Sequence, residues 1–365
     1  MLVSEFDFNL PENLIAQQPF FPREETKMVV CDGAKILDRQ FIDLLSFLQE
    51  GDVLVFNDVR VIKAKLVARV VKNIADSGLQ SSSGARFVAQ GEVEKNIEFN
   101  LDQEIAPKIW RVLVRGIKKI NDGDYLEIAP DFFAQVEKKL EDGFALVKFL
   151  DDYYLQRLDK YGAVPLPPYI KRDAKNVDEQ DKINYQTIYA NDGNAVAAPT
   201  AGLHFTKKMF DLLDARGIKK VFVTLNVGAG TFLPVRSETL QEHKMHEESF
   251  TISAEAAEII NQARVRGGRI VAVGTTSLRV LESVADAAGK LCEAKTTTKI
   301  FIYPPYRFKV VDVLLTNFHL PKSTLFMLVS AFVGKEKAKE IYSHAVARQY
   351  RFYSYGDASL LIRQK

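Results

Sequence analysis

The sequence predicts an α/β fold: a large mixed-sheet α/β domain with a small antiparallel β-barrel domain inserted into it. Three observations carry this. From residue 200 onward, apolar runs of strand length alternate with segments of helical periodicity. Between residues 61 and 151 the texture changes to short alternating strands separated by turn residues. That stretch lies inside the chain, after a buried strand at 53–56 and before helical patterns return, so residues 1–60 and 152–365 are expected to form one discontinuous domain around a barrel at 61–151.

Composition bounds the answer. A chain of 365 residues suits two domains. Its 47% apolar and 26% charged content is that of a water-soluble globular protein. A net charge of +2 excludes a globally basic nucleic-acid coat but leaves room for a local basic patch. Cys31 and Cys292 have no metal-ligand spacing, so neither a disulfide framework nor a zinc site is expected, and a reducing cytoplasm is. The opening MLVSEFDFNLPENLIA carries acids and no long apolar run, so no signal peptide is expected. No run of apolar residues is long enough to span a membrane.

The elements follow in order. Gly51-Asp52 is a turn, and residues 53–56 read as a buried strand ending in Asn57-Asp58-Val59-Arg60. Polar residues at the end of such a strand stand where α/β proteins place ligands. Ile62, Ala64, Leu66, Ala68 and Val70 then alternate with Lys63, Lys65 and Arg69, the period of a half-buried strand. A polar loop is expected at 76–84. Further short strands are expected at 86–93, 97–101, 109–114, 125–128, 133–137 and 144–149. Residues 166–172 form a stiff proline-rich linker with a basic end. Strands are expected at 221–227, 270–273 and 310–315. Helix faces run through Ala256, Ile259, Ile260 and Ala263, through Leu278, Leu281 and Ala285, and through Leu325, Leu328, Val329 and Phe332. Ser253 is a candidate N-cap and Gly267 a stop.

Several stretches carry candidate chemistry. The run GNAVAAPTAGLHFT at 193–206 holds small residues that permit close approach, with His204 and Thr206 as its polar groups before a helix through Met209, Leu212 and Leu213. It reads either as a ligand loop or as a tight core turn. Gly274-Thr275-Thr276-Ser277 lies between strand and helix, where backbone N–H groups and hydroxyls face an anion or simply cap the helix. Residues 226–232, NVGAGTF, lack the third glycine of a dinucleotide fingerprint and read as a ligand-facing loop or a structural turn. His243 and His246 share a face only if their segment is helical, and no third metal ligand is placed. His319 stands at the C-terminal edge of the 310–315 strand. Aromatic and basic residues interleave at Tyr303, Tyr306, Arg307, Phe308 and Lys309, and again from Arg348 through Tyr350, Arg351, Phe352, Tyr353 and Tyr355. Such mixtures suit splayed RNA bases, or equally a rim of core aromatics with snorkelling arginines.

The stretches GDVLVFNDVRVIKAKL, PLPPYIKR, YQTIYA, AVAAPTAGLHFT, VTLNVGAGTFLPVR, EHKMHEE, GGRIVAVGTTSLRVLES, KVVDVLLTNFHLPKSTLFMLVSAF and YRFYSYGDASLLI occur in this order between Gly51 and Ile362. In these motifs the chain resembles the S-adenosylmethionine:tRNA ribosyltransferase-isomerase family of queuosine synthesis. It departs from the family pattern at Asn226 (usually histidine), Val59 (threonine), Lys63 (proline) and Pro305 (glycine). Asn226 argues against an obligatory proton carrier at that position.

The resemblance implies transfer and isomerisation of the ribosyl part of S-adenosylmethionine onto 7-aminomethyl-7-deazaguanine at the tRNA wobble position. Epoxyqueuosine would form, and adenine and methionine would leave. S-adenosylmethionine is then a consumed co-substrate and no cofactor or metal is expected. A cytoplasmic monomer with no protein partner is implied, with an α/β domain interrupted by a barrel. His204, His246 and His319 are the candidates for proton transfer, because histidine titrates nearest neutrality, together with Asp58. Asp58, Asp312 and Asp357 are candidates to orient the amine, and Phe205 or Tyr355 to hold the sulfonium. The matching motifs imply substrate contacts at Asn57, Arg60, Thr200, Thr206, Gly228, Gly230, Thr231, Arg236, Arg279 and Asn317, with Thr275, Thr276 and Ser277 for the methionine carboxylate. Candidate tRNA contacts are Lys171, Arg172, Arg307, Lys309, Arg348 and Arg351. Two other classes compete. A pure RNA-binding protein leaves the polar motifs outside the barrel unexplained, and a hydrolase lacks the G-x-S-x-G elbow.

Overall fold

Four or five consecutive buried residues, with no exposed alternate, fit only a strand covered on both faces. The strand Val53–Asn57 is of this kind, as are Ile270–Val273 and Val313–Asn317. In the computed structural model, which describes residues 1–76, 87–90, 95–172 and 179–364, these strands form the middle of a nine-stranded sheet. Its order is Ala294–Thr298, Glu248–Ile252, Lys219–Leu225, Val53–Asn57, Ile270–Val273, Val313–Asn317, Ala358–Ile362, Lys27–Asp32, Lys35–Gln40. The four strands from Lys219–Leu225 to Val313–Asn317 are mutually parallel. Ala358–Ile362 runs antiparallel to its neighbour Val313–Asn317 and parallel to Lys27–Asp32, and the outer pairs are antiparallel, so the sheet is mixed.

Alternation along the central strand shows how the faces are covered. Val53 and Val55 pack with Ile260, Leu278, Leu281 and Phe326. Leu54 and Phe56 face the other way, onto Phe41, Phe205, Met209 and Leu213. The covering helices start where capping chemistry allows. Ser253 accepts from Ala256 N at the head of Ala254–Val265, and Ser323 does the same for Thr324–Val333.

The second unit is a closed six-stranded antiparallel barrel. Its order is Tyr125–Ala129, Phe132–Lys139, Phe144–Phe149, Ile109–Arg115, Lys95–Ala106 and Lys65–Val71, which pairs back to the first. Leu66, Ala68 and Val70 point inward with Phe99, Leu101, Val112 and Val147. Lys95–Ala106 runs well past the expected 97–101 and is bulged between Leu101 and Gln103. The strand expected at 86–93 is described only at Phe87–Gln90, which pairs with Asn73–Asp76 outside the barrel. The remainder of it, and most of the polar loop at 76–84, lie outside the described residues. The helix Tyr154–Tyr161 packs on the barrel rather than on the sheet, with Tyr154 stacked on Phe149 at 5.1 Å.

The expected strand at 310–315 begins later, at Val313. The Val310 and Val311 N–H groups donate instead to the buried carboxylate of Glu282. Residues 166–172 do not float as a linker: Tyr169 packs on Tyr353 at 3.7 Å and pairs with Ser354 Oγ at 2.6 Å. No helix among the described residues is long and apolar enough to cross a membrane.

Candidate active site

The four parallel strands end on one edge of the sheet, where α/β proteins bind ligands. That edge presents Asn57 and Asp58, then Asn226, then Gly274, then Asn317. Asn57 itself is spent on the fold. It is 0% exposed, and its amide donates to Leu225 O and accepts from Leu225 N and Val59 N, so the expected substrate contact is a clamp between strands. Asp58 is half-buried and accepts from Thr224 Oγ1 at 2.7 Å.

At the centre of the edge, Gly274 takes φ +87° and lets the chain turn directly from strand into the helix Gly274–Val284. No side chain caps this helix. Thr276 Oγ1 is buried without a hydrogen-bond partner among the described residues, so the first-turn N–H groups and one hydroxyl remain for an anion. Ser277 is a correction to the sequence reading: its hydroxyl donates back to Val273 O at 3.0 Å and is sealed in the core.

On one side of that helix start, the short helix Thr200–His204 crosses the sheet edge. His204 stacks on Phe41 at 5.0 Å, and its Nε2 lies 3.3 Å from Asn317 Nδ2. Asn317 accepts from Thr200 Oγ1 and donates to Gly356 O, so Thr200, Asn317 and His204 form one connected group. His204 is 6% exposed. Burial, with the positive charges of Arg351 and Arg23 nearby, pushes its pKa down to about 3. The imidazole is therefore neutral at pH 7, and its Nε2 accepts from the Asn317 amide. His319 pairs with Thr316 Oγ1 at 3.1 Å, and burial pushes its pKa down to about 3 as well.

On the other side, the barrel meets the sheet. The bulge at Leu101–Gln103 aims Asp102 out of the barrel. Its carboxylate pairs with Arg111 and accepts from Gly230 N at 3.2 Å. A Cβ on Gly228 would stand 2.3 Å from Asp102 Oδ1, and one on Gly230 would stand 2.6 Å from the His246 ring. The two glycines are therefore required by barrel and histidine rather than by a ligand. Residues 243–247 are not helical, so the two histidines part: His243 packs on Phe301 and His246 on Phe144 of the barrel. Between barrel and sheet edge lies a cavity of about 230 Å³. Asp102, Glu104, Trp110 and Arg111 line it from the barrel, and Asn194, Asn226, Glu247 and Glu248 from the α/β domain. Asn226 accepts from Asn194 N and donates to Ser249 Oγ. Glu248 pairs with Arg279, which is 7% exposed and whose Nε and Nη2 have no hydrogen-bond partner among the described residues. Sequence reasoning missed Asp102, Arg111 and Glu248. Only the EHKMHEE motif signalled the last, and nothing local signals a barrel residue that works across a domain boundary.

Other expected residues are reassigned by their surroundings. Thr206 caps the helix Lys207–Ala215, accepting from Met209 N. Phe205 is buried among Phe41, Phe56 and Phe210, and Tyr355 against Tyr185, so neither ring offers an open face to a sulfonium. Asp312 stands at the opposite end of the sheet, where it accepts from Ile270 N. Asp357 is buried in a two-pronged ion pair with Arg351, and Arg172 in one with Asp181, so both arginines hold the fold. Lys309 Nζ caps the end of the helix Gly274–Val284 at Ala285 O, again at the far end of the sheet. Arg60, Thr231, Arg236, Arg307, Arg348 and Lys171 are exposed. Lys171 pairs with Glu12, and Arg348 lies 3.8 Å from Asp38. Among the described residues no group of three or more His, Cys, Asp or Glu is arranged to hold a metal ion.

A mixed sheet with ligand-facing strand ends, joined to a barrel that completes a polar cleft, defines a two-unit α/β protein with its site at the junction. The chain belongs to the queuosine biosynthesis protein family, whose sequence profile matches residues 3–361. It is 48% identical to the S-adenosylmethionine:tRNA ribosyltransferase-isomerase of Mesorhizobium japonicum, covering 100% of this chain and 98% of that one. It is 46% identical to the enzyme of the same name from Rhodospirillum rubrum, covering 99% and 98%. The crystal structure of an S-adenosylmethionine tRNA ribosyltransferase from Thermotoga maritima shares 33% identity with a TM-score of 0.53, over 98% of this chain and 100% of that one. The chain is thus an enzyme, a transferase and isomerase by family.

Proposed function

We propose that the protein moves the ribosyl group of S-adenosylmethionine onto 7-aminomethyl-7-deazaguanine at the tRNA wobble position and isomerises it to epoxyqueuosine, releasing adenine and methionine. The observation that carries this reading is the family match over residues 3–361. S-adenosylmethionine is consumed, no further cofactor takes part, and the protein works as a cytoplasmic monomer. Two unpaired cysteines accord with a reducing compartment.

The reaction asks for a base at C5′, acidified by the sulfonium, for departure of adenine, and for a deprotonated amine. His246, half-buried where barrel meets sheet, takes the proton-transfer role in this reading, with Asp58 as the second carrier. His204 and His319 act as neutral hydrogen-bonding groups, since burial keeps them unprotonated near neutrality. The open start of the helix Gly274–Val284, with Thr275 and Thr276, takes the methionine carboxylate. Lys171, Arg307 and Arg348 remain as tRNA contacts.

Adenine release tests the reading. The purified protein should liberate adenine only when tRNA carrying the aminomethyl base and S-adenosylmethionine are both present. Binding of that tRNA without adenine release would mark an RNA-binding protein instead.

A further inference from the structure

The cavity between barrel and sheet edge is lined by the carboxylates of Asp102, Glu104, Glu247 and Glu248. Arg111 is the one cation among the described residues lining it, and Asp102 already holds it. A chamber so rich in acceptors selects a ligand rich in donors. Of the two buried carboxylates, Asp102 spends both oxygens on Arg111 and the Gly230 N–H, and Glu248 is the one with capacity left. It is 8% exposed, Arg279 holds its Oε2, and Oε1 has no hydrogen-bond partner among the described residues. Arg279 holds the carboxylate from behind and leaves its cavity side open.

We infer that this cavity receives the tRNA base, and that Glu248 binds its aminomethyl ammonium. The inference rests on the function proposed above and assigns the amine-orienting role that Asp312 and Asp357 cannot fill. 7-Aminomethyl-7-deazaguanine carries N1–H, an exocyclic NH₂ and the aminomethyl group as donors beside its O6 and N3 acceptors, and the donors match the carboxylate walls. The other primary ammonium in the reaction belongs to the amino-acid end of S-adenosylmethionine. That end also carries a carboxylate, which these walls would repel. An ammonium–carboxylate contact out of water is a charge-assisted hydrogen bond whose loss weakens binding by about 10–100-fold.

The test compares two tRNAs, one with 7-aminomethyl-7-deazaguanine and one with guanine at the wobble position, on the full protein. Kd for each, and Kd for S-adenosylmethionine, are measured for wild type, Glu248→Gln and Glu248→Asp. Aspartate keeps a charge beside Arg279, so it preserves the fold should the glutamine variant fail to, while it withdraws the carboxylate from the cavity. Wild type should prefer the modified tRNA by about 10–100-fold, and both variants should lose most of that preference with the affinity for S-adenosylmethionine unchanged. Three results overturn the inference: no preference in wild type, a preference that survives both substitutions, or weakened S-adenosylmethionine binding with the tRNA preference intact. Failure of wild type to release adenine would count against the proposed function itself and is read separately.

Discussion

Replacing His204 with glutamine tests the buried neutral imidazole at the sheet edge. The folded protein holds this histidine unprotonated down to about pH 3, whereas an unfolded chain protonates it below about 6.5. The unfolded state therefore binds the extra proton, and stability falls as pH drops from 6.5 towards 3. At about 1.4 kcal/mol per pH unit, the cost at pH 5 is about 2 kcal/mol from this residue alone. Glutamine keeps an acceptor for the Asn317 amide but has no proton to gain. Urea unfolding at pH 7.5 and pH 5 should give wild type a larger loss of stability than His204→Gln, by about 2 kcal/mol. Equal losses in the two proteins would refute the account of His204. The same reasoning fixes the rate profile. His204→Gln should keep both limbs of the pH–rate curve between pH 5 and 9, because this group does not titrate there. Loss of a limb would return proton transfer to His204, as the sequence motif alone suggested.

Asp102→Ala removes the acceptor shared by Arg111 and the Gly230 N–H. It should cost about 2–3 kcal/mol, seen as a lower urea midpoint; an unchanged midpoint would mean that Asp102 does not latch barrel to sheet. Gly230→Ala drives a methyl into the His246 ring. With His246 as proton carrier, kcat should fall about 10²-fold or more while tRNA affinity holds, and a normal kcat would count against His246. Lys171→Ala, Arg307→Ala and Arg348→Ala should each lower the slope of log affinity for tRNA against log salt by about one if each contacts a phosphate. Arg172→Ala should leave that slope alone and cost about 3 kcal/mol through its stranded partner Asp181; a changed slope with unchanged stability would restore Arg172 to the RNA surface.

Patterns that act within a few residues were readable from the chain. Period-two alternation through Leu66, Ala68 and Val70 gave a barrel strand, and the apolar run at 53–56 gave the centre of the sheet. Ser253 capped the helix it precedes. Glu248–Ile252 and Ala294–Thr298 were not readable, because they are short, half polar and become strands only by pairing at the sheet margin. At the site, residue type and motif order singled out His204, Thr276 and Asn317, which the structure brings to one edge, yet misjudged what their neighbours do. Thr206, Ser277, Asp357 and Arg172 all look like ligand groups in one dimension. Each turned out to be consumed by a backbone group or a buried counter-charge.

The sequence by itself determined the two textures, the turn-bounded strands, and the family whose motifs run from Gly51 to Ile362, since periodicity and motif order are properties of the linear chain. Only the tertiary structure decided which polar groups stay available. Burial and pairing depend on residues far apart in the chain: Asp102 reaches Gly230, Asn317 reaches His204, and Arg279 reaches Glu248. A carboxylate's chemistry is set by what surrounds it in space, and that is fixed when the barrel closes onto the sheet.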